Sequence, residues 1–314
     1  MTTVFHDARL ALAAAVGVAF LATAQAQPRT REDCEKAVGY SPSSGQAGKD
    51  VVWVPTPDAL VSRMLRMAGT TANDYVVDLG AGDGKIAIAA SKEFGARALG
   101  IEYNPEMVKL AQCMVKAAGA EGKTRVVEGD IFKEDFSRAD IVTAYLLPEL
   151  NLCIRHRLLA MRPGVRVAAH DFHMGDWDPD ESAEVENHAA YLWHVPARVG
   201  GKWSFREEGG GLQFSVTLEQ AFQKIGGEVV VGKTRRQLVG AHLRGEEIRF
   251  TFNDEKGVQR TLVGKVKGGE IAGELRNAGQ LDTAITGRRE GAPGPAPWAE
   301  MLPQCGKYYG KTPA

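Results

Sequence analysis

The chain is 314 residues long, 44% hydrophobic and 25% charged, a balance that excludes a disordered, collagen-like or polytopic membrane chain. Its 38 basic and 39 acidic side chains leave a formal charge of -1, so no basic tail or face is available to hold a nucleic-acid partner by bulk electrostatics. The length is twice that of a domain of about 150 residues, and glycines punctuate the last third, so two architectures are expected in one chain.

Residues 1–26 read as a secretory signal peptide: a weakly charged start with Asp7 and Arg9, an apolar run from Leu10 to Ala22, and the small-residue site Ala24-Gln25-Ala26. The apolar core is too short to span a bilayer. The expectation is an exported, periplasmic protein that begins near Gln27 and keeps no membrane span after processing. Residues 27–50 form an N-terminal extension. Export makes disulfides possible, and four cysteines allow three pairings. Cys34 and Cys305 lie near the two ends, outside strongly periodic segments, so a bond between them is the attractive pairing. Cys113 and Cys153 fall in helical patterns and read as small buried hydrophobes.

From Val51 to about Ala197, short β-rich runs alternate with helical periods. Thr56-Pro57-Asp58 opens a helix, with Thr56 as cap, and Leu60, Val61, Met64 and Leu65 form its apolar stripe. Tyr75 to Asp78 is a buried strand, followed by a helix over Lys85 to Lys92, a strand over Arg97 to Ile101, and a helix opened by Pro105. Strands over Thr124 to Val127, Asp140 to Leu146 and Val165 to His170 continue the alternation, with a helix from Leu150 to Met161. This order predicts an α/β domain over 51–199: a mostly parallel, Rossmann-like sheet with helices on both faces and its ligand at the carboxyl ends of the strands.

The informative residues fall at those ends. Asp78-Leu79-Gly80-Ala81-Gly82-Asp83-Gly84 follows the first strand, where glycines allow a tight turn and a ligand's close approach. Glu102 ends the next strand, placed to hold a pair of ribose hydroxyls, and Asp130 follows the third, placed to accept from an exocyclic amine. A dinucleotide fingerprint has the spacing G-x-G-x-x-G, whereas this loop is G-x-G-x-G with Asp78 before it and Asp83 inside it. Carboxylates there repel a pyrophosphate and suit a ligand that carries an ammonium and a sulfonium. S-adenosylmethionine is the cofactor that fits.

Val76 to Ala90, Gly100-Ile101-Glu102-Tyr103-Asn104-Pro105 and Glu128-Gly129-Asp130-Ile131-Phe132 resemble the successive cofactor motifs of class I S-adenosylmethionine-dependent methyltransferases. Val54-Pro55-Thr56-Pro57, the tract Tyr145-Leu146-Leu147-Pro148-Glu149-Leu150-Asn151 and His170-Asp171-Phe172 resemble a bacterial branch akin to small protein-lysine methyltransferases. The resemblance covers about half the chain and implies roles. Gly80, Gly82 and Gly84 would line the methionine moiety, Glu102 the ribose, and Asp130 with Ile131 the adenine. Asp78 and Asp83 would set the loop and face the cationic end, with Thr56 beside them.

A lysine acceptor is protonated at neutral pH, with a reference pKa of about 10.4, and has to lose that proton before it can attack. The catalytic candidates are Tyr145, Glu149 and Asn151 after the fourth strand, and His170 with Asp171 at the end of the fifth. His170-Asp171-Phe172-His173, with Asp176 nearby, matches no common ligand spacing, so no metal is expected.

After Trp203, strict alternation at Leu212, Phe214, Val216 and Leu218, and at Ile248, Phe250 and Phe252, predicts a small antiparallel β domain over 200–289, a barrel or a sandwich. Glu219 to Lys224 is the one ambiguous, helix-like stretch. Further strands are expected over Val258 to Val266, Ile271 to Leu275 and Leu281 to Thr286, with turns at Gly209 to Gly211, Gly226-Gly227, Asn253-Asp254, Gly268-Gly269 and Asn277 to Gly279. Residues 290–314 are rich in proline and glycine and are expected to be irregular. Two function classes follow: an exported methyltransferase acting on a protein or small-molecule acceptor, and an exported, non-catalytic scaffold that keeps the fold, a reading sustained by the cytosolic supply of the cofactor.

Overall fold

A computed structural model of the chain describes residues 30–278, 281–294, 296, 298, 300 and 302–310. The signal-peptide segment 1–26, its cleavage site at Gln27, and Gly279 of the last expected turn lie outside the described residues.

Helix α1 (Arg31–Val38) is capped by Thr30, whose hydroxyl accepts from the Asp33 N–H, and is followed by the short hairpin β1 (Gln46–Ala47) and β2 (Val52–Trp53). The alternating region then runs α2 (Asp58–Met67), β3 (Tyr75–Leu79), α3 (Lys85–Phe94), β4 (Arg97–Glu102), α4 (Pro105–Ala117), β5 (Thr124–Glu128), β6 (Ile141–Ala144), α5 (Pro148–Leu159), β7 (Arg166–His170), β8 (Glu181–Val185) and β9 (His188–His194). The sheet order is β5-β4-β3-β6-β7-β9-β8, parallel up to β7 and antiparallel for the last two strands. Since β4 lies on one side of β3 and β6 on the other, the strand order reverses at β3, which opens a crevice above its carboxyl end.

Successive residues of a strand face opposite sides of the sheet. Val76 therefore packs with Leu60, Met64 and Ile86 of α2 and α3, while Val77 packs with Val142, Ile154 and Leu158 on the α5 side. The α/β class is as expected. The helical alternation, however, stops at β7, and a hairpin of β8 and β9 completes the sheet. Its two-residue turn uses Glu186 (φ 52°) and Asn187 (φ 65°), a left-handed pair that suits the twist of a hairpin but lacks the usual glycine.

The remaining strands are β10 (Gly201–Glu207), β11 (Gln213–Ala221), β12 (Lys224–Val231), β13 (Thr234–Gln237), β14 (Val239–Arg244), β15 (Glu247–Asn253), β16 (Gln259–Lys267), β17 (Glu270–Asn277) and β18 (Thr283–Arg289). They form one antiparallel sheet, ordered β13-β12-β11-β10-β18-β17-β16-β15-β14, whose ends curl toward each other into a nearly closed barrel. Trp203, Phe205, Phe214, Phe250 and Phe252 fill its interior.

Several expectations are corrected. Thr56 makes no cap bond to α2, whose N-cap position is Pro57; its hydroxyl faces His170 instead. Glu219 to Lys224 is strand, turn and strand, and Gly226-Gly227 lies within β12 rather than in a turn, because a Cβ at Gly227 would sit 2.0 Å from the Thr217 carbonyl of the neighbouring strand. Cys34 pairs with Cys113 and Cys153 with Cys305, so the Cys34–Cys305 bond does not form. The reason is packing: α1 lies on α4, while Pro303–Tyr309 of the tail forms a short 3-10 helix against α5, with Tyr308 stacked on Phe132. Each end of the described chain is thus bonded to the nearest helix of the α/β half, and the tail is ordered there.

Candidate functional site

The loop after β3 enters the left-handed region at Gly80, Gly82 and Gly84. At Gly82 a side chain is excluded twice over, by φ of 55° and by Trp53, whose indole nitrogen would lie 2.6 Å from a Cβ. Gly84 is the N-cap of α3, and a Cβ there would press on Val126 and Ala111; it packs the helix and does not line the cavity. Glu102 ends β4 with both carboxylate oxygens held: Oε2 accepts from the Gly82 N–H at 2.8 Å and Oε1 from the Asn104 N–H at 2.9 Å. That clamp fixes the carboxylate while leaving free lone pairs to accept further hydrogen bonds.

Asp78 is buried beneath the loop and accepts from the Thr143 hydroxyl at 2.7 Å. Burial, assisted by the neighbouring Glu102 and Asp83 carboxylates, pushes its carboxyl up to about 7 against the pull of the Thr143 hydroxyl. Asp83 pairs with Arg31 of α1. Asp130 accepts from the Phe132 N–H at 3.0 Å and forms an ion pair with Lys49 at 3.0 Å.

These groups surround a cavity of about 320 Å³ above β3. Thr56, Asp78, Gly80, Gly82, Asp83, Glu102, Asp130 and Ile131 all line it, so eight of the nine cofactor candidates converge on one space. Its wall also includes the segment from Tyr40 and Gln46 to Pro55, with Lys49 and Trp53, which the sequence reading did not assign to the site. Trp53 directly precedes the Val54-Pro55-Thr56-Pro57 motif but is not part of it, and it packs with Cys34, Met107 and Leu110 where α1 meets α4.

The catalytic candidates separate. Tyr145 lines the cavity; burial and the Asp171 charge raise its phenol above the ordinary value. His170 is fully buried behind it, with ring centroids 3.6 Å apart, and its Nδ1 lies 3.1 Å from the Thr56 hydroxyl. Burial, with a smaller contribution from His188, lowers His170 to about 4 against the opposing effect of Asp171, which keeps the imidazole neutral. Asp171 lies beside His170 and accepts from the Ala189 N–H at 2.7 Å. Glu149 is off the cavity wall, exposed and paired with Lys307 at 2.9 Å. Asn151 is buried outside the cavity, donating to the Phe172 carbonyl at 3.1 Å, with no hydrogen-bond partner for its Oδ1.

The residues fit S-adenosylmethionine. A clamped carboxylate suits a pair of ribose hydroxyls, Ile131 and Phe132 offer apolar surface to a base, and a carboxyl raised by burial and by other carboxylates is a site that gains from a cation. Glu102, Asp130 and Ile131 would hold the nucleoside end, and Asp78, Gly80, Gly82 and Asp83 the methionine end.

A family profile described as ANTKMT methyltransferase domain matches residues 78–181. A protein-lysine N-methyltransferase from Saccharolobus islandicus is 39% identical over 151 residues, which are 46% of this chain and 94% of that protein. An adenine nucleotide translocase lysine N-methyltransferase from Mus musculus is 32% identical over 105 residues, 33% of this chain and 46% of its own length. Among solved structures, an RNA methyltransferase from Salinibacter ruber in complex with S-adenosyl-L-homocysteine is 42% identical, covering 46% of this chain and 96% of that one, with a TM-score of 0.46.

Proposed function

We propose, on the premise that this chain belongs to the protein-lysine N-methyltransferase family, that it transfers a methyl group from S-adenosylmethionine to a lysine side chain of a protein. The observation that carries the reading is the convergence of Asp78, Asp83, Glu102 and Asp130 with Tyr145 on one cavity at the strand reversal. When bound, S-adenosylmethionine supplies an electrophilic methyl group on a positively charged sulfur, which an amine takes by in-line displacement.

The chain's own residues do the rest. Asp78, once ionised, supplies negative charge beside the glycine loop, Asp83 is held there by Arg31, and Glu102 is pre-set by two backbone N–H groups, so little ordering is left to pay for on binding. Tyr145, Leu146 and Phe172 make a largely apolar wall that disfavours an ammonium and so helps an acceptor amine shed its proton. Tyr145 is the candidate placed to touch that amine. His170 and Asp171 act through it as positioning residues, because the His170 ring fixes the plane of Tyr145. Glu149 and Asn151 have structural roles, one pairing with the tail and the other tying α5 to the Phe172 loop.

The acceptor is a protein of an oxidising compartment. That part of the reading is supported by the amino-terminal pattern of a signal peptide and by two disulfides that leave no free cysteine.

The test is methyl transfer from isotopically labelled S-adenosylmethionine by the chain from Gln27 onward, using envelope and cytosolic protein fractions as acceptors and mass spectrometry to locate the label. Label on lysine in wild type, lost in Glu102→Ala together with cofactor binding, is the expected result. A protein that binds S-adenosylmethionine yet labels only RNA or small molecules would overturn the lysine assignment.

A further inference from the structure

His170, Asp171 and His188 bring three ligand-type atoms to a single point. His170 Nε2 lies 3.1 Å from His188 Nδ1 and 3.2 Å from Asp171 Oδ2, and His188 Nδ1 lies 3.0 Å from that same oxygen. From this near-equilateral triangle we infer that the chain binds one divalent transition-metal ion through two imidazoles and one carboxylate, at a site behind the Tyr145 wall of the cavity.

The three edges of the bare triangle cannot all be hydrogen bonds. Each edge of the triangle is at hydrogen-bonding distance, but a neutral imidazole nitrogen is either a donor or an acceptor. With the Asp171 carboxylate ionised, and so an acceptor only, at least one edge sets two donors or two acceptors face to face wherever the imidazole protons are put. A cation at the common point satisfies all three atoms together. Ligands about 2.1 Å from a metal stand about 3 Å apart when they meet at right angles, as three ligands on one face of an octahedron do, and that is the spacing observed.

The backbone also bends toward this point. His170 and Asp171 are adjacent in sequence, and adjacent strand residues normally point to opposite faces. Asp171 escapes that rule by adopting φ of 58°, which costs a non-glycine residue conformational energy and turns its carboxylate back beside the His170 ring. His188 arrives from the first position of β9, set there by the left-handed turn at Glu186 and Asn187. The left-handed Asp171 and the left-handed hairpin turn thus bring their side chains to the same triangle.

The surroundings are those of a metal site. His170 Nδ1 faces the Thr56 hydroxyl at 3.1 Å, the second contact by which a ligating imidazole is oriented, and Asp171 Oδ1 is occupied by the Ala189 N–H, leaving Oδ2 to the triangle. The His188 and Asp171 side chains are 35% and 26% exposed, so an ion and its water can enter from that side. Imidazole-rich donors select zinc or ferrous iron over magnesium and calcium, which take oxygen ligands. The expectation from sequence was no metal, drawn from the spacing of His170, Asp171, His173 and Asp176; His188 enters only through strand pairing.

The site stands independently of the methyl-transfer reading, and zinc is the probe. The chain from Gln27 onward, stripped with a chelator, is titrated with Zn²⁺ by calorimetry, and uptake is counted by elemental analysis. One ion per chain is expected. His188→Ala and Asp171→Asn should each weaken binding by about a hundredfold or more, and Thr56→Val by about tenfold, the scale of an outer contact. His173→Ala, whose ring lies against Tyr191 outside the triangle, should change nothing. Cobalt substitution adds visible absorption bands that require His188. Wild-type protein that takes up no zinc, or zinc bound equally well by folded His188→Ala and Asp171→Asn, would overturn the site.

Discussion

Two buried aspartates, one in each half of the molecule, meet opposite surroundings. In the barrel, burial alone would raise the Asp254 carboxyl, but the Val258 and Lys256 N–H groups and the Arg260 guanidinium outweigh it and hold it below the ordinary value. In the α/β half, burial and then other carboxylates push the Asp78 carboxyl up to about 7, opposed among the described residues only by the Thr143 hydroxyl. The first acid is satisfied by its own turn, and the second is left wanting a cation. The same contrast extends to the interiors: the barrel is filled by its aromatic side chains, whereas the parallel sheet leaves a cavity of about 320 Å³ where its strand order reverses. Polar groups completed by their own fold are architecture, and those left incomplete around a space mark where a ligand belongs.

The comparison is sharpened most by emptying the barrel. Phe250 is fully buried among Phe205 and Phe252, so Phe250→Ala should destabilise the barrel by about 3–5 kcal/mol in denaturant titration. Cofactor affinity of the folded fraction should stay at the wild-type value; a parallel loss of affinity would show that the barrel supports the site. The next effect runs the other way. Both disulfides lie in the α/β half and its tail, so removing Cys153–Cys305 in a Cys153→Ala, Cys305→Ala double variant should cost that half about 2–4 kcal/mol. Reductant should bring the wild type toward the variant, and a barrel unfolding transition that moved as well would break the distinction.

How much of this was legible in the sequence follows the same division. The glycine loop, Glu102 and Asp130 announce themselves because each lies within a few residues of a strand's end, and the Rossmann-like order brings such ends together without further information. Alternation within Phe214 to Leu218 and Ile248 to Phe252 likewise gives the barrel strands, since period-two burial is a local property. What the sequence hid depends on remote packing. Trp53 and Lys49 join the cavity with a segment that packs where α1 meets α4, and the disulfide partners follow from that packing rather than from position along the chain. Thr56 reads as a helix cap by its neighbours, yet the approach of β7 gives its hydroxyl to His170. His188 is invisible for the same reason, since strand pairing across an unusual turn brings it to Asp171.

Exchanging each buried aspartate for asparagine tests the contrast itself. Asp254→Asn removes the charge from a hydrogen-bonded pair with Arg260 and should lower stability by about 1–3 kcal/mol. Asp78→Asn should have the opposite sign above neutral pH: it abolishes an ionisation that the fold opposes, so the ligand-free protein should be no less stable than wild type, while affinity for S-adenosylmethionine falls. Equal destabilisation by both variants would make Asp78 another structural acid.

The smallest effect concerns pH. The Asp78 carboxyl is raised in the folded chain, so the ligand-free fold binds that proton more tightly than the unfolded chain does, and this contribution to stability is lost as pH rises from about 4 to about 7. A cation bound beside it reverses the preference, because only the ionised carboxylate attracts it. Cofactor binding should therefore release a proton below pH 7, and affinity should climb by close to tenfold per pH unit from about 5.5 before levelling off above 7. Calorimetry in buffers of different ionisation enthalpy measures that proton directly. Asp78→Asn should flatten the curve, and a wild-type affinity that does not change with pH, or a slope that survives in the variant, would detach Asp78 from the cofactor's charge.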